Sequence, residues 1–250
     1  MARIRLDLAL VQRGLCPSRE QAKRLIMAGE VFLGDDVVTK PGWLVRQDAA
    51  LRVREPPRFV SRGGLKLEGA LDHFGIEVTG LVAMDVGAST GGFTDCLLQR
   101  GAVKVYAFDV GTNQMVWKLR SDPRVVCREN FNVRHLQPAD VPEAVDFIVA
   151  DVSFISLTLV LPGALAVLKP GGQAVVLVKP QFELSREEVG KGGIVREPEL
   201  RAKACARIQS FVESRPELEW RGLVESSIQG TDGNREFLAW FGSGGSIQQP

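Results

Sequence analysis

The sequence predicts an α/β protein: an open, mostly parallel seven-stranded sheet flanked by helices, with a small α+β module at its N-terminus. Three observations carry this reading. From about residue 80 onward, short apolar runs alternate with amphipathic ones, as in chained βαβ units. One stretch, Leu81–Asp95 (LVAMDVGASTGGFTD), passes from an apolar strand through a glycine cluster into a helix. Two adjacent prolines set among charges, Arg54–Arg58 (REPPR), form a stiff linker that sets residues 1–58 apart from the rest.

In the first module, Leu6, Leu10 and Val11 recur at helical spacing, and Gly14 stops that helix. Ser18 opens a second helix, with Ser18 and Gln21 forming a capping box. Ala22, Leu25 and Ile26 make its apolar face and Gly29 ends it. Two short β-like runs, VFL and VV, flank a turn at Gly34-Asp35-Asp36, and Leu51–Val53 adds another strand.

In the larger domain, residues 59–242, the expected strands are Val82–Val86, Val103–Asp109, Val125–Cys127, Phe147–Asp151, Ala174–Lys179, an edge near Val224–Ser227, and Glu236–Trp240. Helices are expected over Phe93–Arg100, Gln114–Leu119, Leu157–Leu168 and Glu199–Ser214. The charged, glycine-bearing stretch Glu183–Pro198 reads as a mobile loop, and residues 243–250 as a disordered tail.

Composition narrows the function classes. With 45% hydrophobic and 24% charged residues, the chain can bury a core as soluble globular proteins do. No apolar run approaches the roughly 18 residues that span a membrane, and the charged N-terminus lacks a signal-peptide core. A cytoplasmic protein is expected. Four scattered cysteines without a C-x-x-C pair, and two distant histidines, give no expectation of a metal site. Residues 1–60 carry 11 Lys/Arg against 7 Asp/Glu, and the remainder 20 against 23, so a basic module precedes a slightly acidic one. Such a module suits an anionic partner. On the second helix, Arg19, Lys23 and Arg24 lie off the apolar face, at a spacing that can follow an RNA backbone or simply meet solvent.

The glycine turn is G-x-x-x-G-G (Gly87, Gly91, Gly92), not the G-x-G-x-x-G of a pyrophosphate site. Asp85 at the strand tip repels pyrophosphate but suits an ammonium or sulfonium ligand such as S-adenosylmethionine. Asp109 ends the next strand 24 residues later, placed for ribose hydroxyls, a role common to NAD and S-adenosylmethionine folds. Lys66, Asp151, Lys179 and Glu236 stand before or at the ends of apolar strands, where open α/β sheets bind ligands. Each alone reads as an exposed strand end. Together they fit methyl transfer to a ribose 2′-hydroxyl. That reaction needs a base; lysine holds its proton near neutral pH (reference about 10.4), and burial or a second cation favours the free amine.

The run R-L-D-x-x-L followed by S-R-x-x-A-x-x-L-I-x-x-G-x-V, over about residues 3–60, resembles the small RNA-binding S4 domain. The resemblance implies that Arg5, Arg19, Lys23 and Arg24 contact an RNA backbone. The Lys–Asp–Lys–Glu order around DVGASTGGF resembles ribose 2′-O-methyltransferases of the FtsJ type. With SRGGLKLEGAL, ADVSFISL, LVKPQFE and GKGGIV, residues 3–241 look like the TlyA family. Its members are ribosomal RNA methyltransferases acting on cytidine ribose, historically also called haemolysins. The resemblance implies a Rossmann-like S-adenosylmethionine-dependent fold and a partner in ribosomal RNA or ribosomal subunits. It also implies a tetrad of Lys66, Asp151, Lys179 and Glu236, with Lys179 as base and Asp151 orienting it. Glu183 in KPQFE is a rival for the last place; Glu236 is preferred because the final strand supplies that member. Asp85, Gly87, Ser89, Gly91, Gly92, Phe93, Thr94 and Asp109 would hold the cofactor, with Asn132 near the adenine. Two other readings stand beside this one: an assembly factor that binds RNA through a vestigial methyltransferase fold, and a haemolysin.

Overall fold

The computed structural model describes residues 3–190, 192–230 and 232–244. The chain forms two compact units that divide after Arg58.

In the first unit, β1 (Arg3–Arg5) runs straight into α1 (Leu6–Gln12), and α2 (Arg19–Met27) follows. Then come β2 (Val31–Leu33), β3 (Asp36–Val37), β4 (Leu44–Arg46) and β5 (Leu51–Val53). β1 pairs with β4, and β3-β2-β5 make a second small antiparallel sheet. The Ser18 hydroxyl accepts the Gln21 amide at 3.2 Å, which satisfies one free donor at the start of α2. Leu6, Leu10, Ala22, Ile26, Val31 and Val45 close the core. The first and fourth strands were not anticipated. Each is three residues long and carries arginine, and the two pair with each other.

In the second unit, α3 (Gly63–Phe74) precedes β6 (Val82–Val86), α4 (Gly92–Gln99), β7 (Lys104–Phe108), α5 (Trp117–Arg120) and β8 (Val125–Arg128). Two short 3-10 turns lead to β9 (Val145–Ala150), α6 (Leu157–Leu165), β10 (Leu168–Val178) and α7 (Pro180–Glu183). The unit ends with α8 (Pro198–Glu213), β11 (Leu218–Glu225) and β12 (Phe237–Ser243). The seven strands lie in the order β11-β12-β10-β9-β6-β7-β8. β12 runs antiparallel to both its neighbours, β10 and β11, and the remaining pairs are parallel. Strand order reverses between β6 and β9, which is where such sheets open a crevice at their carboxyl edge.

Period-two alternation feeds two cores. Ala83, Val105, Phe147 and Val175 pack with Leu67 of α3 and Leu97 of α4. Met84, Tyr106, Ile148 and Val176 pack with Leu161 of α6 and Ile208 of α8.

Several boundaries differ from expectation. α3 was missed, because two glycines open its sequence and Arg62 caps it without a side-chain bond. Gly64 has a packing reason: a Cβ there would lie 2.3 Å from the Phe59 ring. α5 starts at Trp117 because Glu129 holds the amides of Asn113, Gln114 and Met115 in an open turn, at 2.7, 2.8 and 3.0 Å. α6 stops at Leu165, and Leu168 opens β10. β11 starts at Leu218 rather than near Val224, its half-exposed alternation being a weak signal.

The expected mobile loop is partly helical at Glu183 and is tied down beyond it. The Val195 amide donates to Asn234 Oδ1, and Asn234 Nδ2 donates to the Gly193 carbonyl, both at 2.9 Å. Of the expected disordered tail, Ser243 closes β12 and the Gly244 amide bonds the Glu217 carbonyl at 2.7 Å; residues 245–250, like Lys191, lie outside the described residues.

Candidate active site

The carboxyl edge of the sheet gathers the charged strand ends. Asp85, near the tip of β6, is fully buried. Its Oδ2 accepts the Thr94 hydroxyl at 2.6 Å, while Oδ1 has no partner among the described residues. Burial pushes this carboxyl up to about 7 in spite of the Thr94 bond. Gly87 follows in the left-handed region, at φ +81°, and a Cβ on it would sit 2.4 Å from the Asp151 carbonyl oxygen. The first turn of α4 is as tight: a Cβ on Gly92 would lie 2.2 Å from Ser61 Oγ. The turn is also fixed from β7. Asp109 Oδ2 accepts the Ser89 amide at 2.7 Å, and Oδ1 accepts the Gly111 amide at 2.6 Å.

Two adjoining cavities open here and share Gly87, Ser89, Asp151, Ser153 and Phe154. The first, about 470 Å³, is walled by Phe108, Asp109, Phe131, Asn132, Ile155 and Val160. It is a mostly apolar slot that also carries two acids, Asp109 and Asp151, and two carboxamides, Gln114 and Asn132. Asn132 is exposed, and its Oδ1 accepts the Arg134 amide at 3.1 Å, which leaves its Nδ2 donors for other partners.

The second cavity, about 560 Å³, brings together Lys66, Asp151, Lys179 and Glu236, with Gly92 and Phe93 beside them. Lys66 from α3 meets Glu236, just before β12, with Nζ and Oε2 2.5 Å apart. The two residues are only 8% and 3% exposed. Lys179, just past β10, lies 2.6 Å from Asp151 Oδ1, just past β9, and donates to Ser153 Oγ at 2.9 Å. Two amines and two carboxylates thus pair off inside one cleft. Burial of charge is tolerated because each has its opposite within reach.

Glu183 takes no part. It accepts Ser156 Oγ at 2.5 Å and the Leu157 amide at 2.8 Å, binding α7 to the start of α6. Burial raises its carboxyl above the ordinary range. Asp85, Gly91 and Thr94 line neither cavity: Asp85 is fully buried, Gly91 caps α4 and Thr94 serves Asp85. The slot's aromatic wall at Phe131, and Ser153, Gln181 and Phe182 beside the tetrad, had no sequence signal beyond adjacency to the motifs.

The donor set fits a nucleoside with a cationic amino-acid tail. The slot takes an aromatic base, and Asp109 keeps lone pairs for ribose hydroxyls.

On the first unit, the expected RNA contacts are not equivalent. Arg5 reaches Asp7 through Nε and Nη2 at 3.1 and 3.0 Å, and Arg19 Nε reaches it at 2.9 Å. Burial pushes the Asp7 carboxyl up, but the two arginines outweigh it and hold it at about 2. Arg5 and Arg19 are therefore structural partners of a buried acid as well as surface cations. Lys23 stands 3.9 Å from Glu20, and Arg24 is exposed. Among the described residues no helix is long and apolar enough to cross a membrane.

Known proteins share both units. The FtsJ-like methyltransferase family matches residues 59–243, and the S4 domain matches residues 4–51. Over 243 residues the chain is 45% identical to the 16S/23S rRNA (cytidine-2′-O)-methyltransferase TlyA of Mycobacterium tuberculosis, covering 96% of this chain and 90% of that protein. It is 42% identical over 239 residues to hemolysin A of Brachyspira hyodysenteriae, covering 95% and 99%. A solved structure from Streptococcus thermophilus, described as a candidate hemolysin, superposes with a TM-score of 0.73 at 45% identity, covering 99% of this chain and 92% of that one. The chain belongs to the FtsJ-like methyltransferase family, as a TlyA-type member that carries an S4 domain.

Proposed function

We propose that this protein methylates the ribose 2′-hydroxyl of cytidine in ribosomal RNA, using S-adenosylmethionine, with Lys179 as the base. The observation that carries this reading is the convergence of the Lys66–Glu236 and Lys179–Asp151 pairs in one cleft beside the glycine turn.

Gly87, Ser89, Gly92 and Phe93 would hold the amino-acid end of the cofactor, with buried Asp85 acting through the turn that follows it, and Asp109, Phe131 and Asn132 would hold its nucleoside. When bound, the cofactor supplies a methyl group on a sulfonium and departs neutral, so no metal is needed to stabilise a leaving charge. Lys179, entering as the free amine, takes the proton from O2′; Asp151 accepts an N–H of that amine beforehand, which orients its lone pair, and pairs with the ammonium that forms. Ser153 accepts from the same amine and limits its rotation. Lys66 places a cation near the developing alkoxide, and Glu236 fixes Lys66. The S4 unit supplies docking through backbone phosphates, so turnover falls as salt is added. A paired target nucleotide must leave its stack to present the hydroxyl. This division of labour belongs in the cytoplasm, where ribosomal RNA is processed.

Alkaline hydrolysis tests the reading, because the 2′-hydroxyl is itself the nucleophile of that cleavage. Unmodified ribosomal RNA treated with the enzyme and S-adenosylmethionine should gain one alkali-resistant linkage 3′ to a cytidine. Methyl label that stays in alkali-labile mononucleotides would place the modification on a base and overturn the assignment.

A further inference from the structure

We infer that Gln181 holds the target base, its carboxamide bonding the exocyclic amine and ring nitrogen of cytosine. The inference rests on the cytidine reading above and names the residue that grips that base.

A ribose whose 2′-hydroxyl reaches Lys179 carries its base on the adjacent carbon, so the base must meet the wall next to that amine. Gln181 and Phe182 form that wall, two and three residues past Lys179. Gln181 stands at a fixed height there. The Phe182 amide bonds the Lys179 carbonyl at 2.9 Å, and the Leu184 amide bonds the Pro180 carbonyl at 3.1 Å. Glu183 anchors the same short helix through Ser156 and Leu157, and Arg207 Nη1 donates to the Glu183 carbonyl at 2.6 Å.

On this rigid helix the carboxamide is left without a bond. Gln181 Oε1 is shielded from solvent and has no partner among the described residues. Native structures rarely leave such an oxygen unpaired, and an orphan in a cleft calls for a partner that arrives with the ligand. A half-turn about the terminal torsion turns either the oxygen or the NH2 to the cavity and breaks no bond of its own. Cytosine offers an N4 donor beside an N3 acceptor, which a carboxamide meets with two parallel bonds. Gln229 and Asp232, which line the same cavity, are both exposed to solvent and so have water to satisfy them.

The test is a cycle between the residue and the base. Because the carboxamide can turn over to match uracil, the probe deletes the amine instead of replacing it. Ribosomal RNA is assembled by ligation with either cytidine or 4-deaminocytidine's hydrogen analogue, pyrimidin-2-one riboside, at the methylated position. Wild type and Gln181→Met, of similar length, are compared by kcat/KM, with Gln181→Leu as a second variant and S-adenosylmethionine affinity by calorimetry as the folding control. Loss of the amine should slow the wild type by about tenfold. Both variants should be slower by a similar factor on cytidine, keep cofactor affinity, and lose nothing more when the amine is removed. An equal further loss in the variants, or no loss in the wild type, overturns the inference while cytidine methylation stands. A wild type that binds the cofactor but leaves cytidine unmethylated overturns the cytidine reading itself, and the Gln181 contact with it.

Discussion

The Lys179 amine lies 2.6 Å from Asp151 Oδ1, across the tips of two adjacent parallel strands. The register of β9 and β10 sets this pair, with Ala150 opposite Val176. Each residue is the first beyond its strand, so the two strands place the pair. Lys179→Arg keeps the charge, yet a guanidinium does not give up its proton near neutral pH. We expect Lys179→Arg and Lys179→Met both to lose about 10²- to 10⁴-fold in single-turnover methyl transfer, with cofactor affinity unchanged by calorimetry. An active arginine variant would remove Lys179 from the base role.

The two glutamates proposed for the fourth place separate cleanly. Glu236→Gln removes the partner of buried Lys66 and should cost at least about 10²-fold in rate. Glu183→Gln keeps both bonding positions at Ser156 and Leu157, and its neutral amide suits a buried site. It should stay within about tenfold of wild type, its anchoring role being structural. Initial rates of the two variants, side by side, decide the matter.

Much of this site is legible in the sequence, and for one reason. Asp85, Asp109, Asp151 and Lys179 each end an uninterrupted apolar run, so burial and charge change over within a residue or two. The strand tips were therefore readable, although their exact ends shift by a residue. Lys66 was singled out without its helix, because Gly63 and Gly64 look like a loop until Phe59 and Phe93 are packed against them. The first unit hid more. Nothing local shows that Asp7 is buried, or that Arg5 and Arg19, at the starts of α1 and α2, converge on it. Gln181 was silent for the same reason: its orphan oxygen is a property of the assembled cleft.

Asp85 makes stability depend on pH. Burial holds its carboxyl at about 7, above the unfolded value of about 3.9. Between those values the folded chain keeps a proton that the unfolded chain has lost, so stability falls as pH rises through this window. Asp85→Asn has no proton to lose. Unfolding free energies from denaturant titrations at pH 5 and pH 8 should show a larger drop for the wild type than for the variant, by an amount on the order of a few kcal/mol. Parallel pH profiles would show that Asp85 is ionised in the folded chain throughout.

The basic residues of the first unit should divide into two kinds. Arg19→Ala leaves buried Asp7 with Arg5 alone and should lower the melting temperature, by an amount equivalent to about 1 kcal/mol, as well as weaken RNA binding. Lys23→Ala and Arg24→Ala should leave the melt unchanged and reduce RNA affinity. Each should lower the slope of log affinity against log salt by about one. Binding isotherms at several salt concentrations, beside thermal melts, read both effects. Identical behaviour of all three variants would contradict the division.

The most direct measurement is methyl transfer from radiolabelled S-adenosylmethionine to unmodified small and large ribosomal subunits, with wild type beside Lys179→Ala. The expected result is label on ribosomal RNA with the wild type and none with the variant, both proteins binding the cofactor. Label that persists with Lys179→Ala, or its absence with a folded, cofactor-binding wild type, would contradict a Lys179-driven ribosomal RNA methyltransferase.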